Sequence, residues 1–459
     1  MRVAFLSPLP PEPSGIADYS AELLPALAAR CEVELVVADA ARPDPAVTAG
    51  RAIARESDFP RRLAAGAYDA VLYQIGNDGR YHGSIYDLAL RHPGVAVLHE
   101  VVLHHLVRHR TIGAGRPGAY VEALRYAYGR SGEQAGRSAL ETGVPVDPFA
   151  FPLFEELVDR SRSILVHNAY CRDRVLRSRG GARVAVVPHH LSLAAPGDLD
   201  LDPAAARAAL GVGDGEFVIA TFGFVTPAKR IGALLEAFQA LRREVANARL
   251  VIVGEVEPRY DVASLPGAQG PGVSWVGRTD LARFLRWMAA CDVAVNLRWP
   301  SGGETSGTFV RLLGMGKPVV ASRVGAFAET PPGCCALVDV GGDEIAVIAA
   351  LLRAFAEQPA LRFEIGANAR RVAATWTLDA SAAGYEALLR ATVEGGWQPR
   401  PAVPPLAAYP PHDLATEVLS HVSATARDLG VEETDDELLQ AVAAPLAALS
   451  LDGVTGSGA

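Results

Sequence analysis

The 459-residue sequence is short of cysteine, of basic excess and of long apolar runs, and each shortage removes a class of function. Its five cysteines (Cys31, Cys171, Cys291, Cys334 and Cys335) are odd in number and mostly sit in apolar stretches. They read as buried thiols of a reducing compartment, not as a disulfide frame. Lys and Arg total 43 against 52 Asp and Glu, a formal charge of −9. That balance argues against a nucleic-acid partner and leaves room for a local basic cleft. No run reaches the roughly 18 apolar residues of a membrane span. The opening Met1-Arg-Val-Ala-Phe-Leu-Ser7 meets Pro8 too soon for a signal-peptide core, so a cytoplasmic protein is expected. The dinucleotide fingerprint G-x-G-x-x-G is absent, which disfavours a nicotinamide enzyme. His99-Glu-Val-Val-Leu-His-His105 has Leu103 where a zincin needs its second histidine, so no metal is expected. Internal repeats are also lacking.

What remains is a globular composition, 50% hydrophobic and 21% charged, at a length that suggests two domains plus extras. Short β-rich runs alternate with helical patterns, the mark of parallel α/β sheets. The expected strands are Val3–Ser7, Val33–Val37, Ala70–Gln74, Val95–His99, Ile164–His167 and Val184–Val187 in the first half. In the second they are Val218–Phe222, Leu250–Val253, Val273–Val276, Val293–Leu297 and Pro318–Ser322. Each half begins with a strand that leads through a Pro/Gly loop into an amphipathic helix. The fold class is therefore α/β, with two Rossmann-like units joined near Leu193–Pro203. Between Tyr120 and Arg160 helices replace the strand rhythm, as an insertion of about 118–160. A Pro-rich linker at 397–412 precedes an acidic helical tail, 413–459, where Thr434-Asp-Asp-Glu437 makes a capping box.

The richest stretch is Arg298 to Ser322. It sets Glu304, Thr305, Ser306, Gly307 and Thr308 just before a predicted helix. A helix start offers unpaired N–H groups and a partial positive charge, which suit a diphosphate. Any parallel α/β sheet also makes such a corner, and Glu304 stabilises a helix start without a ligand. Earlier in the same half, Thr226 is expected to cap a helix with Pro227 in its first turn and Ile231, Leu234, Leu235 and Phe238 on one face. Lys229 and Arg230 then fall in that first turn, where a cation opposes the dipole by about 0.3–1 kcal/mol unless an anion is bound. In the first half, Gly15 allows close backbone approach after the first strand. His99 ends a buried strand at the edge of the ligand crevice, where a structural histidine is equally at home. Asp198-Leu-Asp-Leu-Asp202 reads as a cap before Pro203 more than as a cation site.

The motifs Ser14-Gly-Ile-Ala-Asp-Tyr19, Tyr73-Gln-Ile-Gly-Asn77, Leu98-His-Glu100, Val166-His-Asn168, Val187-Pro-His189, Gly223…Lys229, Val276-Gly277, Gly303-Glu-Thr-Ser-Gly307 and Gly316-Lys-Pro318 occur in this order over Met1 to Thr392. Each is weak alone. As an ordered set they make the chain resemble the retaining family-4 glycosyltransferases, with a fold of two Rossmann-like domains facing a cleft (the B-type glycosyltransferase fold). The subgroup with a Gly-Glu-Thr-Ser-Gly loop is the most similar. The resemblance implies an acceptor domain at 1–192, a nucleotide-sugar domain at 193–375, and a helix at 376–396 packing back on the first domain. It implies that Lys229 and the N–H groups from Thr305 to Thr308 hold the diphosphate, with Gly15 and Gly223 close by. Glu304 and His99 would contact the donor sugar, and the Val276–Arg278 backbone would face the base. It further implies a hexosyltransferase acting in glycan biosynthesis with no metal and no cofactor beyond the nucleotide diphosphate sugar donor. The acceptor would be a glycan, a lipid or a small molecule. A lipid acceptor would bring peripheral membrane contact, although no strongly basic amphipathic helix stands out.

Two departures stand against the pattern. The family has Arg after the glycine of Gly223, where this chain has Phe224. It also has a second Glu that binds ribose, and the two ways of counting to that position give Leu312 and Arg311. Arg298 or Arg311 is the candidate for restoring the missing charge. A non-catalytic nucleotide-binding partner on a degenerate transferase fold, or a nucleotide-sugar epimerase or hydrolase, stay open as alternatives.

Overall fold

A computed structural model of the chain describes residues 1–193 and 200–395. The expected linker and acidic tail, Asp198, and the capping box at Thr434 lie outside them. The front lobe is built on seven parallel strands, β1 (Arg2–Leu6), β2 (Glu32–Val37), β3 (Ala52–Arg55), β4 (Ala70–Ile75), β5 (Val95–Leu98), β6 (Ser163–Val166) and β7 (Val184–Val186). Their order is 3-2-1-4-5-6-7. Helices α1 (Gly15–Ala28), α2 (Pro45–Thr48), α3 (Phe59–Ala64) and α4 (Gly79–Arg91) connect the first five. The crossover from β5 to β6 carries α5 (His104–Thr111), α6 (Pro117–Thr142) and α7 (Glu155–Arg160), and α8 (Ala169–Ser178) leads to β7.

The rear lobe has six parallel strands, β8 (Phe217–Phe222), β9 (Ala248–Val253), β10 (Val273–Trp275), β11 (Val293–Asn296), β12 (Val319–Ser322) and β13 (Ala336–Val338). They run in the order 10-9-8-11-12-13. Its helices are α9 (Pro203–Leu210), α10 (Ile231–Arg242), α11 (Leu281–Ala290), α12 (Gly307–Gly314), α13 (Glu344–Glu357) and α14 (Pro359–Ala373). The last helix, α15 (Leu378–Glu394), lies against α1 of the front lobe.

Strands covered on both faces must be apolar on both, and these are. In β1, Ala4 and Leu6 join Tyr73 in one core, while Val3 and Phe5 join Leu72 and Val97 in another. That second core is closed by Ala382, Tyr385 and Leu389 of α15, with the Tyr385 and Tyr19 hydroxyls 3.0 Å apart. The rear sheet repeats the scheme, with Ile219 and Val295 under α10 and α13, and Val218 and Ala294 under α11 and α12.

Eleven of the thirteen strands match expected ones within two residues at each end. The other two, β3 and β13, are sheet edges of four and three residues. They are too short and too exposed to carry a burial pattern. A second correction concerns α10. Pro227–Lys229 forms a separate 3-10 turn, Thr226 makes no side-chain cap, and Arg230 takes a left-handed φ of 52° before the α-helix starts at Ile231. The reason is Arg230 itself, whose guanidinium is held by the buried carboxylate of Glu344.

In both sheets the strand order reverses beside the first strand, between β1 and β4 in front and between β8 and β11 behind. Ligands of open α/β sheets bind at the carboxyl ends of strands at such switch points. Gly15 follows β1, Gly223 follows β8, and the Arg298–Thr308 loop follows β11.

Candidate active site

Gly223 leaves β8 with φ of +88°, a conformation that favours glycine, and a Cβ there would lie 2.9 Å from Lys229 Nζ and 3.7 Å from Thr308 Cγ2. The first turn of α12, the end of β8 and Lys229 therefore meet at one place. Lys229 is buried and its ammonium donates to the Phe222 carbonyl oxygen. Burial first, then Arg298, push its pKa down to about 7, while Glu304 pulls the other way. The earlier dipole argument is thus corrected: Lys229 precedes the helix, and what disfavours its charge is desolvation. A bound anion would still relieve it.

In the β11–α12 loop, Arg298 donates its backbone N–H to Ser322 Oγ at 2.9 Å. Its Nε lies 2.9 Å from Glu304 Oε1, but its N–H is not aimed along that line, so the contact is an ion pair without a hydrogen bond. The other Glu304 oxygen has Ser301 Oγ at 3.4 Å. Ser306 caps α12, accepting from Phe309 N–H at 3.3 Å and meeting Thr308 Oγ1 at 2.8 Å. Helix geometry gives the first-turn N–H groups, those of Gly307 and Thr308, no partner within the helix.

On the front wall Gly15 opens α1 behind its cap Ser14, and a Cβ on it would meet nothing within 4 Å. His99 Nε2 is 2.7 Å from Gln74 Oε1, so Nε2 carries the proton and Nδ1 is the acceptor. Burial, then the neighbouring His167 and His189, hold His99 well below the usual imidazole range. Tyr19 stands at the centre of this group, with the rings of His99, His167, His189 and His190 all within 5.2 Å of its own. Next in the chain, Glu100 is pushed up to about 8 by burial and then by Glu304, against hydrogen bonds from Asn77.

The two walls are joined. Val101 N–H donates to the Gly302 carbonyl at 2.8 Å. Asn168 Nδ2 donates to the Gly303 carbonyl at 2.8 Å and to Thr305 Oγ1 at 3.0 Å. Glu329 of the rear lobe accepts from the Ala169 and Tyr170 N–H groups that begin α8. Arg311, on α12, pairs with Glu22 of α1 and donates to the Ser192 carbonyl at 3.1 Å, and Glu22 also meets His190 at 2.9 Å.

Of the residues picked from the sequence, Gly223, Lys229, Arg298, Glu304 and the Thr305–Thr308 segment come together. His99 keeps its contacts within the front lobe. Arg278 is exposed, with Glu255 at 3.7 Å as its ion-pair partner. Arg311 is engaged by Glu22, and Leu312 is buried in the rear core. The capping reading of Asp202 fits its bonds to the Ala204 and Ala205 N–H groups. Sequence reasoning did not single out Glu100, Asn77, Glu22 or Glu329. Glu100 and Asn77 lay inside quoted motifs, whereas nothing local marked the other two. All five cysteines are free, four of them buried. Among the described residues no helix is long and apolar enough to cross a membrane.

Residues 216–357 match the family model described as Glycosyl transferases group 1. The chain is 32% identical over 225 residues to the D-inositol 3-phosphate glycosyltransferase of Segniliparus rotundus, a match covering 45% of this chain and 49% of that protein. The chain thus spans about half the length of the curated relative it matches. Among solved structures it is similar to HepE of Anabaena in complex with UDP and glucose, at a TM-score of 0.57 and 16% identity over 85% of this chain and 100% of that one. Sucrose-phosphate synthase of Thermosynechococcus elongatus gives 0.62 and 18% over 86% and 100%. At these identities the structures establish the shared two-domain fold. The family match carries the resemblance, over the rear lobe, as far as the group 1 glycosyl transferases.

Proposed function

We propose that this protein is a retaining, family-4-type glycosyltransferase that moves a sugar from a nucleotide diphosphate sugar to an acceptor hydroxyl. The acceptor is a glycan, a glycolipid or a small molecule, and the reaction runs in the cytoplasm. The observation that carries this reading is the meeting of Lys229, Gly223 and Thr308 at the rear switch point, beside Glu304. Lys229 and the first-turn N–H groups of α12 supply positive charge where a diphosphate departs, so the transfer needs no metal or protein nucleophile. Gly15 lets the front backbone approach the same phosphates. Glu304 accepts from donor-sugar hydroxyls, and His99 offers Nδ1 to another. The Val276–Arg278 backbone and Arg298 complete the donor side. HepE binds UDP and glucose, which favours the same class of ligand here.

The test is a thermal-shift panel of nucleoside diphosphates and nucleotide sugars on the wild type, Lys229→Ala and Glu304→Gln. Lys229→Ala should lose the diphosphate shift. Glu304→Gln should keep it and lose transfer. A Lys229→Ala protein with a normal response rules out this site.

A second reading, a non-catalytic nucleotide-binding partner, is favoured by one observation. Both positions that could hold the family's ribose-binding Glu are otherwise engaged, Leu312 in the core and Arg311 with Glu22. Binding without turnover in any donor and acceptor mixture would select it.

A further inference from the structure

A Cβ built on Gly302 would lie 3.0 Å from Glu100 Oε2, 3.4 Å from Glu304 Oε2 and 3.5 Å from Val102 Cβ. Two carboxyl groups, one from each lobe, thus flank the same point, and the missing side chain leaves it free. The arrangement is held across the cleft by the Val101 N–H to Gly302 carbonyl bond. Resting on the sugar-transfer reading above, we infer that Glu100 and Glu304 jointly form the sugar-recognition end of the cleft, which takes a neutral or amino-bearing sugar and rejects one carrying a carboxylate.

The acceptor capacity there is not used up. Glu304 spends one oxygen on the Arg298 ion pair and has a single long contact, Ser301 Oγ, at the other. Glu100 faces Asn77, whose Oδ1 is taken by Leu106 N–H at 3.1 Å, leaving the amide nitrogen to donate to the carboxyl. Ionised carboxyls only accept hydrogen bonds, so their natural ligands are hydroxyl or ammonium hydrogens. Arg298, already paired, is the cation beside them. Burial and the neighbouring Glu304 already disfavour a second negative charge at Glu100. A uronate would bring a third carboxylate into the same space, and like charges in a desolvated site repel strongly. Glu100 is therefore a specificity residue that the donor-loop motif does not include.

The experiment uses calorimetry on the full chain, with bare UDP, ADP, GDP and TDP choosing the base. The glucose and glucuronic acid nucleotides of that base are then compared on the wild type, Glu100→Gln and Glu100→Ala. The wild type should prefer the glucose nucleotide by about tenfold or more, the scale of one charged hydrogen bond. Glu100→Gln should narrow the preference to within about threefold while bare diphosphate affinity stays unchanged. Equal wild-type affinities, or a ratio unmoved in both variants, overturns the inference. So does a parallel loss of bare diphosphate binding in both variants, which would make Glu100 structural. Silence toward all four diphosphates overturns the sugar-transfer reading itself.

Discussion

The two lobes share a topology but line the cleft with opposite chemistry. The rear lobe brings Lys229, Arg298 and the start of α12, together with one acid, Glu304. The front lobe brings the carboxyls of Glu22 and Glu100 and a group of neutral imidazoles around Tyr19. A parallel sheet delivers loops and helix starts at its switch point but does not dictate their charge. The rear wall is made for an anion and the front wall for hydroxyl-bearing ligands. Sequence differences at equivalent strand ends, Lys229 behind and His99-Glu100 in front, divide the labour.

The largest expected effect breaks the rear wall at its backbone. Gly223→Ala puts a Cβ against Lys229 Nζ and a side chain on a residue with φ of +88°. It should cost on the order of 1–3 kcal/mol of stability and lower diphosphate affinity as much as Lys229→Ala does. Calorimetric titration beside a urea melt checks both. Full diphosphate affinity in a folded Gly223→Ala protein would mean that Lys229 does not hold the ligand.

The next effect sharpens the comparison through pH. Lys229 has a pKa of about 7 in the free protein, set by burial and Arg298 against Glu304. A bound diphosphate raises it, so binding takes up a proton. Affinity for a nucleotide sugar, whose diphosphate has no ionisation near neutrality, should be greatest below pH 7 and fall as pH rises through the free-protein value. Calorimetry in buffers of differing ionisation enthalpy reads the proton directly, and the uptake should vanish in Lys229→Met.

The linkage to stability runs in opposite senses on the two walls. The folded pKa of Lys229 lies below its unfolded value, so the unfolded chain holds more protons above pH 7 and stability from this group rises with pH there. The folded pKa of Glu100, about 8, lies above its unfolded value. Its contribution is full below about pH 4.5 and is lost as pH rises through 8. Glu100→Gln should remove that decline, making the melting temperature fall less between pH 5 and 8 than in the wild type. An unchanged profile would mean that Glu100 is solvated.

Much of this was legible because the central strands are buried on both faces and read as continuous apolar runs. The loops at the switch points followed from the strands, which is why Lys229, Glu304 and Thr305–Thr308 could be picked out together. Two kinds of feature were not legible. Thr226-Pro227 imitates a cap and first turn, yet Glu344, more than a hundred residues onward, holds Arg230 and delays the helix. Glu100 reads locally as a strand end, and only folding sets it opposite Glu304. Arg311 had the same difficulty: counting along a motif suggested a ligand, whereas its actual partner sits on α1. Side-chain partners drawn from the other lobe leave no periodic signal.

The smallest effects concern what joins the walls. Arg311 and Glu22 are both largely buried, at 17% and 19% side-chain exposure, and they couple α12 to α1. If Arg311 serves this pair and not the diphosphate, Arg311→Ala should weaken nucleoside diphosphate binding less than tenfold, and Glu22→Gln should match it. The double variant should then lose little more than either single one, by a coupling of about 1–2 kcal/mol in stability. A tenfold or greater loss of binding in Arg311→Ala alone would return the residue to the donor site. Glu329 offers the finer comparison, since its exposed carboxylate caps α8 from across the cleft. Glu329→Gln should cost only about 0.5–1 kcal/mol, the worth of a charge at a helix start, and the cost should shrink as salt is added. Hydrogen exchange at the Ala169 and Tyr170 amides would show it directly, because those N–H groups lose their acceptor whenever the rear lobe moves away.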